Sequence, residues 1–271
     1  MKRARLQSGF TLIELLVVIS ILGLLAGLAV PAVKNLGKSN VRLSAARQLL
    51  DDFARARQLA MTERTTVYMI FVPTNFWNTT YWSPGQYPAT TDFTNLCDKQ
   101  LTGYSLVTLR SVGDQPGQGT TNYLTEWKSL PDGNFIAQWK FFPRNNVSNI
   151  TDIVSGKVYS VPGFNRTTIN RIPFPDAQSP GAVNLPYIAF NYLGQLTTEE
   201  LSPNASQHDE YIPLAQGTVF PAIYPDTRAY QVGLDPSVKE IPPNNSSSSS
   251  YSIIHIDWLT GRARQEHQQV Q

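Results

Sequence analysis

The chain has 271 residues, enough to bury a core in one large or two small domains. Hydrophobic residues make up 41% of it and charged residues only 15%, which excludes a disordered or collagen-like chain. A formal charge of +2, from 22 basic and 20 acidic residues, gives no global field for polyanions; the single cysteine, Cys97, excludes an internal disulfide and a cysteine-rich zinc site.

Lys2, Arg3 and Arg5 precede the first acidic residue, and residues 15–33 carry no charge at all. Without residues 1–9 the balance is 19 basic to 20 acidic groups, so the basic surplus belongs to the leader. From Phe10 to Val33 the only charge is Glu14. As a helix rising about 1.5 Å per residue this run measures about 36 Å, enough to cross a hydrocarbon core of about 30 Å. The basic flank sets the N-terminus in the cytoplasm and everything after Lys34 outside it. A secretory signal peptide cut after Ala29 shares the basic start and the apolar centre. Two features oppose it: the cost of Glu14, about 2.5–3.5 kcal/mol at a central position, and a run longer than the usual h-region of about 7–15 residues.

The segment Gly9-Phe10-Thr11-Leu12-Ile13-Glu14, followed by an apolar helix containing Pro31, resembles the class III leader of type IV prepilins and type II secretion pseudopilins. The resemblance implies a membrane prepilin peptidase that cuts after Gly9 and methylates the new terminal Phe10. It implies that Glu14 is the family's assembly glutamate, paired with the Phe10 amine of a neighbouring subunit. Other pilin or pseudopilin subunits and an inner-membrane assembly platform are the implied partners. The implied location is the inner membrane, single-pass with the head outside the cytoplasm, and then a periplasmic or extracellular filament. Pro31 removes the hydrogen bond to the Gly27 carbonyl and is expected to kink the helix.

Beyond the anchor, Leu43, Ala46, Leu50, Phe53, Ala56 and Ala60 recur every three or four residues, the period of one helical face. The helix is therefore expected to run from Phe10 to about Thr62, with Arg42, Arg47, Arg55 and Arg57 on a solvated face. Residues 65–72, rich in β-branched and aromatic side chains and closed by Pro73, read as the first strand. Further strands are expected at 104–110, 135–142, 157–161, 183–190, 211–220 and 252–259, with Gly194 and Gly261 at turns. The segments 188–197 and 252–264 resemble C-terminal strands of GspH/FimT-type minor pilins and pseudopilins. The expected fold is α+β and pilin-like, a long N-terminal helix packed on an antiparallel β-sheet head. Its parts are a leader at 1–9, an anchor and assembly helix at 10–35, the amphipathic half of that helix at 36–64, and a head at 65–271. An irregular insertion at about 73–185 resembles nothing in that family.

Residues 76–93 hold six aromatics, among them Phe76, Trp77, Tyr81 and Trp82, either a stacking surface for a partner or a satellite core. His255 and Asp257 lie two apart in a strand and share a face, a weak pattern for metal or acid–base work. Arg262 and Arg264 lead into a polar tail at 265–271 that lacks the apolar content to pack. A Gly-Arg-x-Arg ending resembles that of minor pilins associated with DNA uptake, so DNA stands as an alternative partner. Residues 244–250 read as a flexible polar hairpin tip. No nucleophile motif, phosphate loop or metal-ligand spacing is present, so neither an enzyme nor a cofactor is expected. The reading is a structural filament subunit, with an adhesive or DNA-capturing module as the rival.

Overall fold

The computed structural model describes residues 12–78, 94–110, 113–115, 119–152, 156–166, 172–179, 181–198, 208–247 and 252–267, with residues 26–42, 95, 166 and 267 described by backbone only. The chain divides into two units, Met1–Leu43 and Ser44–Gln271. One α-helix, α1, spans Leu12–Glu63 and continues through Gly23, Gly27 and Pro31 without a break. Among the described residues no helix is long and apolar enough to cross a membrane. Phe10 and the side chains of residues 26–33, which belong to the apolar run read from the sequence, lie outside the described residues.

Among the described residues the second unit is antiparallel β, and residues 44–63 of α1 are its one long helical stretch. In chain order its strands are β1 Val67–Phe71, β2 Gly103–Thr108, β3 Asn122–Tyr123, β4 Lys128–Ser129, β5 Asn134–Ile136, β6 Val147–Thr151, β7 Val158–Pro162 and β8 Asn165–Arg166. They continue with β9 Ile172–Pro173, β10 Ala182–Val183, β11 Pro186–Phe190, β12 Leu196–Thr197, β13 Glu210–Phe220, β14 Ser237–Glu240, β15 Ser252–Ile256 and β16 Ala263–His267. One sheet has the order β12-β11-β1-β2-β3, with β4 on β2 and β8 on β11. A second has the order β14-β13-β15-β16, with β5 on β13. The hairpins β6–β7 and β9–β10 stand apart.

Every residue of β1 is buried, so both faces of the first sheet are covered. Val67, Met69 and Phe71 face the main core, where Ala45, Ala46, Leu49, Phe53, Ala56 and Ala60 of α1 meet Phe190, Ile212, Leu214, Ile254 and Ile256. Tyr68 and Ile70 face a second core made with Phe76, Leu96, Cys97, Ile172, Phe174 and Leu185. The irregular insertion thus supplies the cover for the far face of the sheet. Burying one large aliphatic or aromatic side chain contributes about 1.5–3 kcal/mol. Such a double-sided sheet therefore holds far more than a one-sided one of equal size.

Several expectations need correction. Of the expected stripe on α1, Ala46, Phe53, Ala56 and Ala60 are buried, whereas Leu43 is exposed and Leu50 only half-buried; Ala45 and Leu49 are buried beside the stripe instead. The expected strand at 135–142 ends at Ile136, and Gln138–Phe141 forms a 3-10 turn. That turn buries Lys140, whose amine donates to Glu210 and, at 2.8 Å, to the Pro162 carbonyl. Arg144 holds the other Glu210 oxygen at 3.0 Å. Burial pushes the Lys140 amine below the usual lysine range, and the Glu210 charge pulls it back. The polar tail is also not loose throughout, since β16 pairs along β15. In the polar segment at 244–250, Asn245 is buried and bonds both the N–H and the carbonyl of Gln216. Residues 248–250 lie outside the described residues.

Candidate functional site

Gly9 and Phe10 lie outside the described residues, and α1 is described from Leu12. Glu14 sits in its first turn and is exposed, where the positive end of the helix dipole favours a carboxylate. From Leu12 to Leu25 the large apolar side chains are 46–82% exposed on every side of the helix. Pro31 is part of the continuous helix, and its side chain lies outside the described set.

The C-terminal candidates fall on one face of the second sheet. Tyr211 pairs with His255 and His255 with Arg264, so the three form a row across β13, β15 and β16. Residues alternate along a strand, so Ile212, Ile254 and Ile256 turn into the main core while this row faces away from it. His255 stacks on Tyr211, with ring centroids 4.6 Å apart and planes inclined by 20°. Its two nitrogens each lie 2.8 Å from a carboxylate oxygen, Nδ1 from Glu266 and Nε2 from Asp209. Burial opposes ionisation of Glu266, but hydrogen bonds from Tyr159, His255 and Arg264 and the Lys157 charge hold its carboxyl down at about 2.

Asp257 lies one residue beyond the end of β15, so it does not share the strand with His255, and it is not the partner of His255. It closes the β15–β16 turn, its Oδ1 accepting from both N–H and hydroxyl of Thr260 at 2.7 Å. These bonds hold the Asp257 carboxyl below the usual aspartate range. Among the described residues no group of three His, Cys, Asp or Glu side chains can hold a metal. The two carboxylates on His255 sit on opposite ring nitrogens and so do not converge.

A cleft of about 390 Å³ opens over the turn end of the sheet, lined by His255, Asp257, Thr260, Arg262, Ala263 and Arg264. Arg262 and Arg264 are both exposed, and Arg264 Nε donates to Glu266 at 3.0 Å. The cleft therefore mixes two guanidinium groups with neighbouring carboxylates. The β15–β16 turn meets the β11–β12 turn backbone to backbone: a Cβ on Gly261 would lie 2.0 Å from the Gly194 carbonyl oxygen. Both glycines have positive φ, 77° and 62°, so a side chain at either is excluded by conformation as well. Arg57 of α1 ties the pair down, its Nε donating to Gly194 O at 3.2 Å and Thr260 O at 2.7 Å. Arg57 is thus a clamp rather than part of a solvated face.

The aromatic segment divides. Phe76 and Trp77 are buried, their rings 4.9 Å apart and Phe76 5.7 Å from Phe174, so neither supplies a stacking surface. Tyr81 and Trp82 lie outside the described residues. Asp209, Tyr211 and Glu266 carried no signal in the sequence, because their partners are distant along the chain. Asp52 is a further omission: it is buried in α1, where it accepts from the Tyr104 hydroxyl at 2.6 Å and the Lys128 amine at 2.5 Å.

Residues 4–30 match the family model of the prokaryotic N-terminal methylation motif. The chain therefore carries a type IV prepilin-like class III leader. The match supports a pilin- or pseudopilin-type subunit, a structural role rather than an enzymatic one, processed by a prepilin peptidase and assembled with other pilin subunits. No curated protein and no solved structure matches the chain.

Proposed function

We propose that the chain is a subunit of a type IV pilus or a type II secretion pseudopilus, most like the GspH/FimT-type minor subunits. The observation that carries this reading is the apolar helix within and after the leader, exposed on all sides from Leu12 to Leu25. A helix apolar all round needs lipid or other helices around it. A subunit stored in the inner membrane and then drawn into a filament core meets each in turn.

On this reading residues 1–9 are removed, residues 10–35 anchor and assemble, residues 36–64 continue the helix and residues 65–271 form the head outside the cytoplasm. The peptidase cuts after Gly9 and methylates Phe10. Glu14 then pairs with the Phe10 amine of the next subunit, because a carboxylate taken out of water needs a cation. Pro31 gives the assembly helix its pliable point. The insertion-bearing head and the lone Cys97, which cannot close a disulfide loop, favour a minor subunit over the major one.

The test is mass spectrometry of protein from native membranes. The expected N-terminus is Phe10 with one methyl group, and a terminus near Val30 would refute the reading in favour of a signal peptide. Glu14→Val is expected to stay membrane-bound with a folded head while its recovery in filaments falls. Recovery equal to wild type would remove the carboxylate from assembly.

The exposure of Arg262 and Arg264 supports DNA capture as a second reading. Two phosphate contacts give a salt slope of only about −1.8 on duplex DNA, and Asp257 lines the same cleft. A salt titration beside the Arg262→Ala/Arg264→Ala variant decides it: submicromolar binding lost in the variant supports capture, and equal weak binding dismisses it.

A further inference from the structure

We infer that the cleft over the β15–β16 turn is a binding site for a neutral saccharide, held by Asp257, Arg262 and Arg264. Its volume of about 390 Å³ falls within the range of small-molecule sites, about 300–1,000 Å³. Filament assembly through α1 gives this cleft no task.

Two of the hydrogen-bonding groups, Asp257 and Arg264, are held before a ligand arrives. Thr260 holds Asp257 Oδ1 through two bonds of 2.7 Å, which fixes the orientation of the carboxylate on the cleft wall. Glu266 holds Arg264 through its Nε and leaves the two terminal nitrogens to donate. Arg262 also lines the cleft and is exposed, so its guanidinium is available to donate. The turn that carries Asp257, Thr260 and Arg262 is itself clamped to α1 by Arg57. Acceptors and donors side by side at fixed positions suit adjacent hydroxyl groups, each of which donates and accepts. Preorganisation of this kind lowers the ordering cost of binding. His255, buried and stacked on Tyr211, forms a rigid floor for the cleft rather than an open face.

Charge selects against the alternatives. Asp257 opposes Arg262, and Glu266 offsets Arg264, so the cleft presents little net field. A phosphate entering to meet the arginines meets the Asp257 carboxylate as well. A simple cation meets two guanidinium groups. A neutral polyol satisfies both signs with no desolvated charge of its own.

The experiment uses the full chain solubilised in detergent, with lactose, cellobiose and chitobiose as probes in isothermal titration calorimetry. At least one disaccharide is expected to bind saturably in the millimolar range, equally at about 0.05 and 0.5 M salt, because a neutral ligand has no charge to screen. Arg262→Ala is expected to weaken binding about tenfold to hundredfold, the worth of a charge-assisted hydrogen bond. Arg262 is exposed, so this change leaves the fold intact, which circular dichroism verifies. Arg228→Ala, exposed in another hairpin, is expected to bind as wild type. Three results overturn the inference: no saturable binding by any of the three disaccharides, equal binding by Arg262→Ala, or binding that falls with salt and is displaced by short duplex DNA. None of these outcomes bears on processing at Gly9 and Phe10, so the saccharide site and the filament reading fail separately.

Discussion

Helix α1 carries apolar side chains in two different arrangements. Between Leu12 and Leu25 they occur on every side and are exposed. Between Ala45 and Ala60 they recur every three or four residues and are fully buried against two sheets. The difference lies in where the partner comes from. A periodic stripe belongs to a helix whose partner is in the same chain, and an unbroken apolar surface belongs to one whose partner is another molecule or lipid.

Removing residues 10–35 tests the contrast most severely. The truncated chain is expected to be soluble and monomeric without detergent, by sedimentation, while the full chain pellets with membranes. Aggregation of the truncated head would show that it, too, depends on a partner. Within the helix, Phe53→Ala is expected to cost about 3–5 kcal/mol in denaturant unfolding, the price of a large core cavity. Leu16→Ala is expected to leave that transition unmoved.

Asp52→Ala leaves the Tyr104 hydroxyl and the Lys128 amine without their acceptor, and a loss of about 1–3 kcal/mol is expected from the same melts. Arg57→Ala is expected to cost about 1 kcal/mol. Its more telling readout is faster amide exchange at Gly194 and Gly261, and unchanged exchange there would show that the turns hold without the clamp. The smallest effect concerns acid. Glu266 sits at about 2 in the fold against 4.5 as a free side chain. A depressed carboxyl contributes stability that is present above its unfolded value and lost as pH falls through its folded value. Pairing of β16 is therefore expected to weaken between about pH 4.5 and 2, followed by the amide signals of residues 263–267. Glu266→Gln is expected to flatten that dependence.

The leader and the helix were legible because their signals are local: an unbroken apolar run, a lone Glu14, a stripe every three or four residues. Even there Leu43 and Leu50 were placed on the buried face and Ala45 and Leu49 were not, since neighbouring positions on a helix differ by about 100° and the edge of a stripe is poorly marked by residue type. Strands β1, β2, β11, β13 and β15 were found from their β-branched and aromatic content. The two-residue strands and the 3-10 turn at Gln138–Phe141 were not, because too few residues carry the alternation. At the C-terminal site His255 and the two arginines stood out by type. Asp209, Glu266 and Arg57 did not, since their roles come from pairings across 46, 11 and 203 positions. Phe76 and Trp77 misled, because an aromatic-rich segment reads the same whether its rings turn inward or out.

The topology also sets an order of events during synthesis. Strand β1 bonds to β2 soon after it is made, but its other neighbour is β11, and the stripe on α1 finds part of its cover at Ile254 and Ile256. Contacts so distant along the chain slow folding, because the connecting segment must be ordered before they form. Until residues 252–256 are available, Phe53 and its neighbours have no complete core to enter. A half-made head therefore exposes the apolar stripe of α1 until β15 of the second sheet is in place to cover it.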